Sequence, residues 1–267
     1  MATELRELIA TASYSDQQIS ERSSQIHTGI LRDSASLDAA NFNLVDSDDL
    51  ASLFDRYDQL FFDQTCKRRL DELPASISFR VSSRMTRAGG RTTRTGSPGQ
   101  APLTFEIAVS STLLFRTFAD VQRPIAVAGI TCNSRLEAMQ RIFEHELIHL
   151  IEFLVWDNSS CAGARFQDLA RRFFGHHGVV HDLITPQETA MKKYGIRRGD
   201  RVAFRFENID YAGVVNRITH RATVLVEDKH GREYRDGRRY AKFYVPLDMI
   251  TRVSEQQMGV PGPKPGS

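Results

Sequence analysis

The pentapeptide His145-Glu146-Leu147-Ile148-His149 constrains this chain more than any other stretch. Residues four apart share one face of a helix, so two imidazoles at this spacing can grip one cation while the carboxylate between them reaches a water beside it. That geometry requires a continuous helix. The flanks supply one: Ser134-Arg135-Leu136-Glu137 has the form of a capping box, and Leu136, Met139, Ile142 and Phe143 recur at helical spacing toward the motif. Leu147, Ile148, Leu150, Ile151, Phe153 and Leu154 follow with little polar relief, so the helix is expected to be buried. Polar groups on so apolar a helix need partners, and a metal ion provides one. The chemistry implied is metal-assisted hydrolysis. In it Zn2+ is held by His145 and His149, and Glu146 is the catalytic base that takes a proton from water and returns it to the leaving group.

At 267 residues, 41% apolar and 25% charged, the chain has material for one large domain or two modest ones. Its beginning lacks a basic segment followed by an apolar run, and no apolar stretch is long enough to span a bilayer, so no membrane association is expected. Cys66, Cys132 and Cys161 are widely spaced with no Cys-x-x-Cys among them, which suggests neither a disulfide framework nor a separate zinc ribbon and fits a reducing cytoplasm. The formal net charge of +2 conceals an asymmetry. Residues 1–189 carry 19 Lys and Arg against 24 Asp and Glu, whereas residues 190–253 carry 15 against 8. Arginine supplies most of that excess, and a guanidinium contacts phosphate or carboxylate through two donors at once. Nucleic acid is therefore one reading of the basic region; a solvated face is the other.

The pattern along the chain predicts an α+β protein in four parts. Residues 1–45 are Ser-, Asp- and Gln-rich with weak periodicity, and read as an N-terminal extension that is loosely helical or partly disordered. Residues 46–185 form the first domain. Leu50, Leu53, Phe54, Tyr57, Leu60 and Phe61 make one helical face after an acidic, cap-like start. Residues 77–81 and 105–109 alternate as strands, joined by an Arg- and Gly-rich segment from Arg84 to Gly99 that reads as a long mobile hairpin connection. Residues 124–130 are a weaker strand candidate, and Phe166, Leu169, Ala170, Phe173 and Phe174 form a second amphipathic helix after the motif. A linker near 185–196 leads to residues 196–253. There, strands at 202–206, 211–215 and 222–226, with turns at 207–210 and 228–231, suggest a small SH3-like β-barrel. The tail, 254–267, is expected to be disordered.

Five stretches taken together resemble the SprT-like metalloprotease family, which includes the Spartan proteases that digest proteins crosslinked to DNA. They are Tyr57-Asp-Gln-Leu-Phe-Phe62, Ser83 to Arg91, Phe105-Glu-Ile107, His145 to His149 and Arg165 to Ala170. The resemblance covers roughly residues 50–180. It implies a small zincin-type domain, a Zn2+ cofactor, a protein substrate and DNA as a partner. It also implies a third zinc ligand from a His four residues before the aromatic residue of the second helix. Counting back from Phe166 gives Ala162, so the neighbouring thiol of Cys161 is the first candidate, His176 or His181 further on the second, and a site without a third protein ligand the remaining reading. Arg84, Arg87 and Arg91 near the motif, and Arg217, Arg221, Arg238 and Arg239 in the basic region, are the candidate nucleic-acid contacts. The competing reading is a non-catalytic nucleic-acid or protein adaptor whose zinc site is structural.

Overall fold

The structure, a computed structural model, describes residues 3–97, 102–119 and 121–253; the tail expected to be disordered lies outside the described residues. The chain divides into two compact units, Met1–Ile184 and Thr185–Ser267. Both mix helix and strand, as expected of an α+β protein.

The first unit opens with α1 (Thr3–Thr11) and α2 (Asp16–Asp33). Of the two readings of this stretch, loose helix or partial disorder, helix is what forms, packed rather than loose. Apolar residues are sparse there, but Leu5 and Ile9, and again Ile26 and Ile30, are four apart and bury one face of each helix in the common core. Ser15 and Gln18 close a capping box at the start of α2. Polar contacts tie the region down: Arg172 donates to the Ile9 carbonyl at 2.8 Å, and the Tyr14 hydroxyl to the Phe61 carbonyl at 2.8 Å. Next come α3 (Ser47–Phe62), capped reciprocally by Asp46 and Asp49, and α4 (Thr65–Glu72).

A three-stranded sheet follows, with β1 (Ala75–Ser82), β2 (Gly90–Thr95) and β3 (Leu103–Ser110) in the order β1-β3-β2. β1 and β3 are parallel, so the Arg-rich stretch is not the hairpin connection expected from the sequence. Part of it is strand β2, antiparallel to β3, with Gly90 opposite Val109 and Thr95 opposite Thr104. Its β-branched threonines suit a pleated edge, and alternation turns Thr92 and Arg94 inward and Arg91 and Thr93 outward.

The remainder of the unit is α5 (Ser111–Arg116), the hairpin β4 (Ile125–Val127) and β5 (Ile130–Cys132), α6 (Arg135–Trp156) and α7 (Ala164–Phe174). α6 is the central helix. Ser134 caps it by accepting from the Glu137 amide at 3.2 Å, while the Glu137 carboxylate reaches the Asn133 amide at 2.8 Å, one residue beyond a regular capping box. The Phe61, Phe62, Phe173 and Phe174 rings pack together in the core, which places α7. No helix among the described residues is long and apolar enough to cross a membrane.

The second unit begins with a helix where a linker was expected. Thr185 caps α8 (Pro186–Tyr194), Pro186 occupies its first turn, and Ala190 is buried with Ile196 in this unit's own core. The strands are β6 (Arg201–Phe206), β7 (Ile209–Ile218), β8 (Ala222–Glu233), β9 (Arg239–Val245) and β10 (Thr251–Arg252). They form one sheet in the order β10-β6-β7-β8-β9. Glu207 and Asn208, with φ of 49° and 62°, make the two-residue turn between β6 and β7. Residues 228–231, read from sequence as a turn, instead lie inside β8, where the register shifts so that Tyr240 faces both Glu227 and Arg232. The chain reverses later, around Gly237, which has a φ of 78°. Among the described residues the sheet is open, with β10 and β9 at its edges, so no closed barrel forms.

Candidate metal centre

His145 and His149 lie one turn apart on α6, with their Nε2 atoms 3.2 Å from each other. The Cys161 thiol, from the loop between α6 and α7, joins them: one ligand atom from each residue falls within 4.8 Å of the others. Two zinc–nitrogen bonds of about 2.0–2.1 Å at a tetrahedral angle require nitrogens roughly 3.3 Å apart, so the imidazole pair matches that separation. Two imidazoles and a thiol are also a donor set suited to a borderline-soft divalent ion. The residues fit a metal. Phe166, at the start of α7, packs against both imidazoles with ring centroids at 4.8 and 4.6 Å and backs the pair with an apolar wall.

The other two candidates for the third ligand do not join this cluster. His176 is buried and its Nε2 lies 2.8 Å from Glu144, a carboxylate that also accepts from the Tyr57 hydroxyl at 2.7 Å and pairs with Arg141 at 3.0 Å. That network sits in the core beneath α6, and desolvation together with the neighbouring Glu144 charge pushes the Tyr57 phenol well above its ordinary range. His181 instead lines a cleft of about 340 Å³ with His145, Glu146, Ile142, Val127 and Gly90.

Glu146 faces this cleft and is almost fully buried. Burial pushes its carboxyl up to about 7, against the opposing pull of the Thr92 hydrogen bonds and the nearby Arg91 charge. The Thr92 hydroxyl lies 2.9 Å from its Oε2 and 2.8 Å from its backbone carbonyl, which fixes the side chain against β2. The approach is so close that a Cβ at Gly90 would stand 2.6 Å from the Glu146 Cγ. Only glycine fits there. Burial, reinforced by His149 and the other histidines nearby, lowers His145 to about 3, and burial also lowers His149, so both imidazoles are held in the neutral form that ligates metals.

A second layer of contacts lies behind His149. Its Nδ1 is 2.6 Å from the Ser159 hydroxyl, which donates to Glu152 Oε2 at 2.6 Å. Glu152 also accepts from the Ser160 amide at 3.2 Å and from Arg165 Nε at 2.6 Å. Thr92, Gly90, Ser159, Arg165 and Phe166 escaped the sequence reading as site residues. Thr92 is 54 positions from Glu146 and carries no pattern of its own, whereas the Gly89-Gly90 pair and the polar run after Trp156 are visible signals of close approach and of a turn.

All seven arginines read as nucleic-acid contacts are exposed, and two of them have ion-pair partners. Arg238 pairs with Glu227 at 2.6 Å and Arg239 with Glu233 at 3.6 Å. Arg84, Arg87, Arg91, Arg217 and Arg221 are the others. Arg87 lines the cleft. Arg94, from the same Arg-rich segment, is fixed to Asp157 at the end of α6. Comparison of the chain with models of known families, with curated proteins and with solved structures gives no match.

Proposed function

We propose that the chain is a zinc-dependent endopeptidase acting on proteins held on DNA. The observation that carries the peptidase reading is the meeting of His145, His149 and Cys161, with His145 and the buried carboxylate of Glu146 lining one cleft. Three protein ligands leave one tetrahedral position open, which is the arrangement of catalytic rather than structural zinc sites. Zinc in such a site supplies Lewis-acid polarisation of a carbonyl and acidifies water.

The chain's own residues supply the rest. Glu146 takes a proton from the attacking water and passes it to the leaving amine. Thr92 holds Oε2 in place, so the carboxylate arrives with one orientation. The apolar lining from Val127 and Ile142 accommodates an uncharged side chain.

DNA as partner is supported by the exposed arginines Arg84, Arg87 and Arg91 in the first unit and Arg217 and Arg221 in the second, and by the resemblance to SprT-like proteases. The deciding experiment measures zinc content of wild type and Glu146→Gln together with cleavage of a DNA-bound basic protein, with and without single-stranded DNA. One zinc in each protein, with DNA-dependent cleavage by wild type alone, is the expected result. Bound zinc without cleavage under any DNA condition would overturn the peptidase reading in favour of an adaptor with a structural site.

A further inference from the structure

The contacts behind His149 have a direction. Glu152 is 1% exposed at its side chain and faces the Arg165 guanidinium through Oε1. Its other oxygen, Oε2, can only accept. The single hydroxyl hydrogen of Ser159 is therefore committed to Glu152, at 2.6 Å, and toward His149 the Ser159 oxygen can only accept. It follows that His149 carries its proton on Nδ1. The bare nitrogen is then Nε2, the one that faces His145.

The same carboxylate holds the loop that presents the third ligand. Besides Ser159, Glu152 receives the Ser160 amide at 3.2 Å and Arg165 Nε at 2.6 Å, so residues on both sides of Cys161 converge on one buried acceptor. Arg165 itself lies 4.3 Å from the Trp156 ring and donates to Asn158 at 2.7 Å, closing the loop against the end of α6.

We infer that Glu152 and Ser159 are positioning residues that preset the metal centre, fixing the tautomer of His149 and the placement of the Cys161 loop before any metal arrives. The inference rests on the metal-centre reading above. Partners of this kind behind a ligating histidine contribute about 10- to 100-fold in metal affinity, because they orient the ring and raise its basicity.

Two measurements test it. Long-range nitrogen–proton NMR on the metal-free protein reads the His149 tautomer, and chelator competition reads Zn2+ affinity in wild type, Ser159→Ala and Ser159→Thr. The expected pattern is a single Nδ1–H tautomer in wild type, its loss in Ser159→Ala with an affinity drop of about 10- to 100-fold, and recovery of both in Ser159→Thr. A wild-type proton on Nε2, or a Ser159→Ala protein whose tautomer and zinc affinity match wild type, would overturn the inference. The tautomer is read without metal or substrate, so its assignment stands whether or not the protein cleaves peptides. Conversely, a correct tautomer in a protein that cleaves nothing would count against the peptidase reading alone.

Discussion

Replacing Glu146 by Gln should make the metal-free protein more stable at alkaline pH and leave it unchanged in acid. The carboxyl titrates near 4.5 in the unfolded chain and near 7 in the folded one, because burial disfavours its charge. Between those values the folded state keeps a proton that the unfolded state has lost, so stability falls as pH rises through the interval and stays low above it. At 1.36 kcal/mol per unit, the difference corresponds to about 3 kcal/mol. Gln has the same shape and retains an oxygen for the Thr92 hydroxyl, but it never ionises. For a unit of this size each kcal/mol moves the melting temperature by about 2–4 °C, so Glu146→Gln should melt about 6–12 °C above wild type at pH 8. The gap should close below pH 4.5. His145, lowered to about 3, works in the opposite sense: it costs stability as pH falls from 6.5 toward 3, but equally in both proteins, so it cancels from the comparison. Differential scanning calorimetry of chelator-treated protein at several pH values provides the test. A gap that does not vary with pH, or a variant less stable than wild type at pH 8, would refute the account of a carboxylate buried at a cost.

The same geometry fixes four further outcomes. Cys161→Ser should lower zinc occupancy sharply in metal analysis, and unchanged stoichiometry would remove Cys161 from the ligand set. Gly90→Ala forces a Cβ to 2.6 Å from the Glu146 Cγ, and should cost about 1–3 kcal/mol in urea melts and most of the turnover while zinc is retained. Tyr57→Phe takes the donor from the buried Glu144 Oε1, and a loss of about 1–3 kcal/mol is expected by the same melts, with zinc content unaltered. In DNA binding, Arg217→Ala and Arg221→Ala should each reduce the slope of log affinity against log salt by about one; an unchanged slope would show that these side chains touch no phosphate.

The sequence by itself determined the local parts of this protein. A spacing of four within one helix puts His145 and His149 side by side whatever surrounds them, and the apolar periodicity of α3, α6 and α7 records which faces are buried. Strand alternation at 77–81 and 105–109 was equally legible, since it depends on neighbours two residues away. Periodicity records that a face is buried but not against what. The parallel pairing of β1 with β3, the strand formed inside the Arg-rich segment, and the burial of α1 and α2 were therefore decided by tertiary structure. The same holds at the centre. Cys161 stood first among the candidates because it adjoins the expected position, with His176 and His181 behind it, but no local pattern shows that the thiol folds back over α6 while His176 is drawn into the core by Glu144. Bringing Cys161 rather than His176 beside the imidazole pair took contacts beyond a helical turn: a buried carboxylate at Glu152 that gathers the loop around Cys161, and a core whose packing leaves His176 a partner of its own.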